Sequence, residues 1–195
     1  MNRLRRLLRS ERGYSLVELL TVMAILSVVV GGLTTLFVQG SNGELDLNRR
    51  FQAQETARVA MDKLRREVHC ASAATSASST TVALTLAASC PSSGGSAITA
   101  NWCALQVPSA ATGDYGLYRQ TGASCTTAGV LYADNLISTN VFTYSPPDSI
   151  YLGTLKVDLQ VNPKPSMTSE TFELKDCLVL RNTTRTGAAT TVPTC

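Results

Sequence analysis

The stretch LLTVMAILSVVVGGLTTLFV, residues 19–38, is a run of twenty mostly apolar side chains without a single charge. At about 1.5 Å of rise per residue, a helix of about twenty residues spans the roughly 30 Å hydrocarbon core of a bilayer. The next charged residue along the chain is Glu44. The stretch therefore predicts one membrane-spanning helix near the N-terminus.

Upstream of this run the chain is strongly basic. The first thirteen residues contain one acid, Glu11, and five arginines: Arg3, Arg5, Arg6, Arg9 and Arg12. Subtracting their balance of +4 from the whole-chain charge of +3 leaves −1 for everything after Gly13. Positive charge just before an apolar helix keeps the N-terminus in the cytoplasm and sends the C-terminal part outside. The remaining chain lacks a broad cationic face, which disfavours DNA binding but leaves it open.

Three interpretations of the apolar run compete: a cleaved secretory signal, a permanent anchor, and a helix that joins a filament. A secretory signal has a shorter apolar core followed by a small-residue cleavage site, and residues 39–44 offer no convincing site of that kind. A plain anchor leaves Gly13 and Glu18 unexplained, since a carboxylate in a membrane helix is costly unless it reaches water or a positive partner. Cleavage between Gly13 and Tyr14 would create such a partner, the α-amino group of Tyr14. Between filament subunits, that pair would set the axial register.

The residues Arg12-Gly13-Tyr14-Ser15-Leu16-Val17-Glu18-Leu19-Leu20 resemble the prepilin processing motif of type IV pilins and type II secretion pseudopilins. The resemblance implies that a prepilin peptidase cleaves after Gly13, that Tyr14 becomes the N-methylated first residue, and that Glu18 takes part in subunit assembly. Phe or Met is commoner in the family where Tyr14 stands. The implied partners are the prepilin peptidase, other pilins or pseudopilins, the membrane and the assembly platform proteins. The implied location is the cytoplasmic (inner) membrane, followed by the pilus or pseudopilus.

The apolar run continues into a segment with amphipathic helical periodicity, from Glu44 to Cys70. Its stripe consists of Leu47, Phe51, Gln54, Ala57, Met61, Leu64 and Val68, which are apolar except for Gln54. Charged residues, with Glu67 among them, occupy the other faces and are interpreted as a solvated surface. Each glycine in a helix interior costs roughly 1 kcal/mol. We therefore expect one helix from about Ser15 to Val68 that is weakest near residues 40–43.

After the helix, the small polar run Ala71–Ser79 is expected to connect the helix to a sheet. Alternating segments separated by turn residues then predict short strands. The candidates are Thr81–Ala87, Trp102–Val107, Leu117–Gln120, Val130–Ala133, Val141–Tyr144, and a clearer strand with Leu155, Val157, Leu159 and Val161 facing inward. Phe172 and Leu174 begin a returning strand. The change of phase at Cys177 predicts a bulge near Lys175-Asp176.

These elements predict an α+β chain with pilin-like architecture. Its long N-terminal helix has a membrane half and an amphipathic half, and the amphipathic half packs on an antiparallel β-sheet with disulfide-tied loops. The expected parts are a prepilin leader (1–13), a transmembrane and filament-core half-helix (14–43), and an extracytoplasmic head (44–195) that contains the amphipathic half-helix (44–70), a sheet region (80–181) and a C-terminal tail (182–195).

The chain contains six cysteines: Cys70, Cys90, Cys103, Cys125, Cys177 and Cys195. Export of the head favours disulfides, and six cysteines permit 15 pairings between which the sequence does not choose. We favour neighbours in sequence, Cys177–Cys195 first, because that bridge would hold a Ser/Thr/Gly-rich tail in place. No CxxC pair occurs and His69 is the single histidine, which argues against a zinc site.

No pattern in the sequence indicates catalysis. It has no Gly-x-Ser-x-Gly motif, metal-binding cluster or phosphate loop. His69 ends a helix, where an imidazole facing the helix dipole or solvent is far commoner than a catalytic base. The aromatic residues Trp102, Tyr115 and Tyr118 are interpreted as core rather than as an exposed patch. We therefore expect no enzyme activity, no cofactor, no metal and no small-molecule substrate.

Two parts of the head resemble the larger minor pseudopilins of the J type. They are the helical segment 57–68 and the succession of segments 116–119, 130–136, 141–144 and 155–157. The predicted function is a structural minor pilin or minor pseudopilin, which primes or joins a type IV pilus or type II secretion pseudopilus. The alternative is a membrane-tethered extracellular binding or adhesion module anchored by an uncleaved N-terminal helix. Motility, adhesion, DNA uptake and secretion all remain open as the filament's task.

Overall fold

The structure is a computed structural model. The residues that it describes are 15–108, 113–148, 150–164 and 171–182, without the side chain of Ala77. Gly13, Tyr14 and Cys195 lie outside the described residues. The chain divides into two compact units, Met1–Leu47 and Asn48–Cys195.

A single helix, α1, extends from Leu16 to Cys70. Its bounds agree with the predicted helix to within two residues at each end. The helix continues through Gly40 and Gly43 without interruption. A cost of roughly 1 kcal/mol per glycine weakens a helix but does not by itself end one when backbone hydrogen bonds continue on both sides.

Eight strands form one antiparallel sheet in the described part of the second unit. They are β1 (Ala71–Ser78), β2 (Thr81–Leu86), β3 (Ile98–Gln106), β4 (Tyr115–Thr121), β5 (Val130–Leu136), β6 (Phe142–Ser145), β7 (Thr154–Val161) and β8 (Phe172–Val179). Their order is β1-β2-β3-β4-β5-β7-β6, and β8 pairs with β7. The carbonyl of Ser79 accepts hydrogen bonds from the amides of Val141 (3.0 Å) and Phe142 (2.8 Å). The sheet therefore curls until the turn after β1 meets the start of β6.

The core of the second unit lies between the C-terminal part of α1 and one face of this sheet. The buried apolar residues of the helix are Ala53, Ala57, Ala60, Met61, Leu64 and Val68. Strand β7 supplies Leu155, Val157, Leu159 and Val161 to the same core, as its alternation predicts. A long helix packed on an antiparallel, disulfide-tied sheet is the predicted α+β, pilin-like fold.

The predicted apolar stripe of α1 is wrong at its N-terminal end. Leu47 and Phe51 are 69% and 65% exposed, and Gln54 is also exposed. The helix buries Ala53 and Ala60 instead. A helix advances by about 100° per residue, so Phe51 points about 120° away from Ala57, outside the face that meets the sheet. A stripe that follows every third or fourth residue shifts gradually around the helix, so its N-terminal members lie outside the buried face.

The run that was expected to be a connection, Ala71–Ser79, is mostly strand β1. The strand begins directly after α1 ends at Cys70, and it pairs with β2 from Ala71↔Leu86 to Ser78↔Thr81. The sheet region therefore begins at residue 71 rather than at residue 80. Small side chains suffice here because β1 is an edge strand that pairs through its backbone, and among its described side chains only Ala71 and Ala74 are buried.

The bulge predicted near Lys175-Asp176 is wrong, because β7 and β8 pair in continuous register. The partly or fully buried residues Phe172, Leu174, Leu178 and Leu180 alternate in one phase. Asp176 falls in the same phase. It is tolerated there because the Arg65 guanidinium of α1 reaches its Oδ2, with Nη2 at 2.6 Å and Nε at 3.0 Å. An ion pair, rather than an extra residue, explains the apparent change of phase.

Two disulfides join neighbouring cysteines. Cys70 pairs with Cys90 and Cys103 with Cys125, and their Cα atoms are 5.8 Å and 6.2 Å apart. Both agree with the predicted pairing of neighbours in sequence. Cys177 is also disulfide-bonded, and its predicted partner, Cys195, lies outside the described residues.

The aromatic residues Trp102, Tyr115 and Tyr118 belong to the core or its margin, as expected. Trp102 is fully buried and its ring centroid lies 5.0 Å from that of Tyr132. Tyr118 is 4% exposed, and Tyr115 is partly buried against the core. These side chains form no exposed aromatic patch.

Candidate assembly site

The apolar half of α1 is uncovered. Its most apolar stretch of 18 residues has a mean hydropathy of 2.4, and none of that stretch is buried. Individual side chains are as exposed as Leu16 (76%) and Phe37 (78%). By length and composition this part of the helix is able to cross a membrane. An apolar surface of this extent requires cover, either from lipid or from other apolar helices.

The hydroxyl groups of the apolar run 19–38 donate hydrogen bonds within the helix. Thr21 donates to the carbonyl of Glu18 (2.9 Å), Ser27 to that of Ala24 (2.8 Å), Thr34 to that of Val30 (2.7 Å) and Thr35 to that of Gly32 (2.8 Å). Such bonds to the preceding turn remove the cost of placing a hydroxyl in hydrocarbon. The polar residues of the stretch are therefore compatible with a lipid or protein environment.

Glu18 is the one ionisable side chain in this part of the helix. It lies in the first turn of α1 and is exposed. A carboxylate in the first turn interacts favourably with the helix dipole. Gly13 and Tyr14, the predicted cleavage pair, lie outside the described residues. Cleavage, methylation and the role of Glu18 in assembly remain predictions.

The second unit contains a buried carboxylate, Glu67, which is 1% exposed. Trp102 Nε1 donates to its Oε2 at 2.9 Å, and Arg119 Nε donates to Oε1 at 2.9 Å and to Oε2 at 3.1 Å. Lys63 Nζ lies 3.4 Å from Oε1 and also donates to Ser92 Oγ at 2.8 Å. We refer to Glu67, Trp102, Arg119 and Lys63 as the Glu67 cluster.

The interpretation of Glu67 as part of a solvated face is therefore wrong. Burial of a charge is tolerated only where opposite charges and hydrogen-bond donors surround it, and the cluster supplies both. The pair with Lys63 is visible in the sequence as an i,i+4 spacing. The partners Trp102 and Arg119 follow 35 and 52 residues later, so no local pattern points to them.

His69 lies in the last turn of α1 and is partly buried. Burial and the nearby Arg181 and Arg65 lower the pKa of its imidazole, and Asp176 opposes the shift. The imidazole is therefore largely neutral at neutral pH. Among the described residues, no group of three or more His, Cys, Asp or Glu side chains is arranged to hold a metal ion.

Comparison with known proteins locates the similarity at the N-terminus. Residues 8–34 match the family model described as the prokaryotic N-terminal methylation motif. The match includes Gly13, Tyr14 and Glu18. No curated protein sequence and no solved structure matches the chain. The motif implies processing by a prepilin peptidase and assembly with other pilins, and together with the apolar helix and the α+β fold it supports a type IV pilin-like protein.

Proposed function

We propose that the chain is a structural, non-catalytic minor pilin or minor pseudopilin. A prepilin peptidase cleaves it after Gly13, Tyr14 is then N-methylated, and the mature subunit primes or joins a type IV pilus or a type II secretion pseudopilus. The observation that carries the proposal is the uncovered apolar half of α1 beside a second unit that already has its own core. Lipid covers this half before assembly, and the helices of other subunits cover it afterwards.

Glu18 supplies the specificity of this packing. Apolar helices can pack at many axial offsets with similar energy, whereas a carboxylate in a low-dielectric environment restricts the offset to those at which it meets a partner. The α-amino group of Tyr14 from a neighbouring subunit provides a positive partner. One such pair per subunit contact sets the axial register of the filament, which is the best-attested role of a buried charge pair.

The minor rank within the filament rests on resemblance. The segment 57–68 of α1 and the segments within β4, β5, β6 and β7 resemble the larger minor pseudopilins of the J type. Among the described residues, the second unit contains a helix, an eight-stranded sheet and two disulfides, and it offers surface for contacts with partner pilins. These features favour a priming or capping subunit.

The experiment compares Glu18→Ala with the wild-type chain in cells that carry the native filament system. We expect the variant to reach the membrane and to be processed normally. Its amount in sheared filaments should fall about tenfold or more, because an unpaired buried partner costs roughly 3–5 kcal/mol. Ser27→Ala, on the same apolar half, is the matched control and should assemble normally. Wild-type incorporation of Glu18→Ala would remove the register argument, and a chain that is never processed would favour the tethered binding module.

A further inference from the structure

Two faces of α1 are candidates for packing on the sheet. The face predicted from the sequence passes through Phe51, Gln54, Ala57 and Met61, and Phe51 is the largest apolar side chain on it. The face that the structure buries shares Ala57 and Met61 with it, and carries Ala53 and Ala60 in place of Phe51 and Gln54. At about 100° per residue, the centres of the two faces differ by a rotation of about 70° around the helix axis. Apolar burial alone favours the face with Phe51, since burial energy rises with apolar area.

The Glu67 cluster distinguishes between the two faces. Glu67 lies at the far edge of the observed face, away from Phe51, and it is the one charged or polar residue on the buried face of the described helix. A rotation that buries Phe51 withdraws the Glu67 carboxylate from the sheet. Trp102 Nε1 and Arg119 Nε would then lose their acceptor inside the core, where an unpaired donor is strongly disfavoured.

We infer that Glu67 is a positioning residue that selects which face of α1 packs on the sheet and so keeps Phe51 at the surface. The contacts that do this come from two strands: Trp102 on β3 and Arg119 on β4. The inference concerns the second unit alone and holds whether or not the chain enters a filament. Phe51, 65% exposed, thereby stays available for contacts outside this unit.

The disulfide between Cys70 and Cys90 is the competing determinant. It joins the last residue of α1 to Cys90, directly before the 3₁₀ helix Pro91–Ser93, and is the other contact able to orient the helix. Every variant below keeps this disulfide. If the disulfide alone sets the orientation, removal of the Glu67 cluster leaves Phe51 where it is.

The test measures the side-chain oxidation rate of Phe51 by hydroxyl-radical footprinting of the full chain in lipid nanodiscs. In Glu67→Met/Arg119→Met the charges are replaced together, so that neither is left buried and unpaired. We expect the Phe51 oxidation rate to fall at least twofold. Glu67→Gln keeps an acceptor for the indole and the guanidinium, and its rate should equal that of the wild type. The exposed pair Glu173→Met/Lys175→Met is the matched control and should also leave Phe51 unchanged.

A second variant tests the inference with the cluster intact. Gln54→Leu makes the competing face continuously apolar at an exposed, easily substituted position. If the Glu67 cluster selects the face, Phe51 keeps its wild-type oxidation rate in Gln54→Leu. Protection of Phe51 in this variant would overturn the inference, as would unchanged oxidation in Glu67→Met/Arg119→Met. If that double variant does not fold, protection of Phe51 in Gln54→Leu still overturns the inference.

Discussion

Glu67 is a carboxylate inside the core of the second unit, and its partners come from three elements. Lys63 lies on the same helix, Trp102 on β3 and Arg119 on β4. The cluster therefore connects the helix to the sheet through polar contacts, at a position in the core where apolar packing would also give stability. Removal of Glu67 alone leaves the Arg119 guanidinium and the Trp102 indole N–H without their acceptor, and the loss of one partner is the costly way to disrupt a buried pair.

Glu67→Ala should lower the free energy of unfolding of the second unit by about 3–5 kcal/mol, because Arg119 and Trp102 lose their acceptor within the core. Guanidinium unfolding followed by Trp102 fluorescence measures the change. Glu173→Ala removes one partner of an exposed ion pair with Lys175 and should leave the unfolding midpoint unchanged. Equal stability of Glu67→Ala and Glu173→Ala would contradict the role assigned to the cluster.

His69 makes the stability depend on pH in a defined direction. Burial and the nearby arginines lower its pKa in the folded state below the ordinary value of about 6.5. The unfolded chain therefore binds more protons in the window below pH 6.5, and stability is lost as the pH falls through that window. Above about pH 7 the contribution is fully present.

His69→Gln removes this titration. Between about pH 7.5 and pH 5.5, the wild type should lose more stability than the variant, since only the wild type must bury an imidazole that solvent would protonate. Denaturant midpoints of both proteins at the two pH values measure the difference. Parallel loss in wild type and variant would mean that His69 does not titrate in this window.

At the scale of elements, the sequence predicts what local patterns determine. The bounds of α1 follow from an uninterrupted helical period, and the inward face of β7 follows from strict alternation between Leu155 and Val161. The face of α1 and the regular pairing of β8 depend on distant partners. Asp176 stands in β8 where the alternation predicts an apolar residue, and it is accommodated there because Arg65, 111 residues away, pairs with it. Strand β1 is not predicted, because Ala and Ser have low strand propensity. In the structure, pairing at the edge of the sheet overrides that propensity.

The disulfides Cys70–Cys90 and Cys103–Cys125 close loops of similar size, with separations of 20 and 22 residues. Cys70→Ser/Cys90→Ser and Cys103→Ser/Cys125→Ser should each cost about 3 kcal/mol of stability, since loop-closure entropy depends weakly on loop length. Unfolding of both variants under non-reducing conditions measures the loss. A much larger effect for one bridge would show that native packing, rather than the constraint on the unfolded chain, dominates its contribution.

Gly40 is an exposed helix-interior glycine, and an added Cβ would meet nothing within 4 Å. Gly40→Ala should therefore stabilise this part of α1 by about 1 kcal/mol and slow amide hydrogen exchange around residues 40–43. Gly122, at φ 118°, is the contrasting position, where Ala should destabilise. Unchanged exchange in Gly40→Ala would show that this segment is not the weak point of the helix.

At the scale of the whole molecule, the N-terminal motif is the feature that the sequence determines most completely. All of its parts lie within nine consecutive residues followed by one apolar run, so local chemistry specifies it. The contacts within the second unit could not be predicted from the sequence, because the Glu67 cluster, the curl of the sheet and the ion pairs join residues far apart in the chain. The protein combines a disulfide-tied unit that has its own core with a helix segment whose apolar side chains are exposed.

The central claim is that this helix is released from its basic leader as a prepilin. Mass spectrometry of the N-terminal peptide, from cells with and without an active prepilin peptidase, tests it most directly. We expect a mature chain that begins at an N-methylated Tyr14 in the first cells and a chain with an intact leader in the second. An intact Met1 in both, or cleavage beyond Val38, would contradict it.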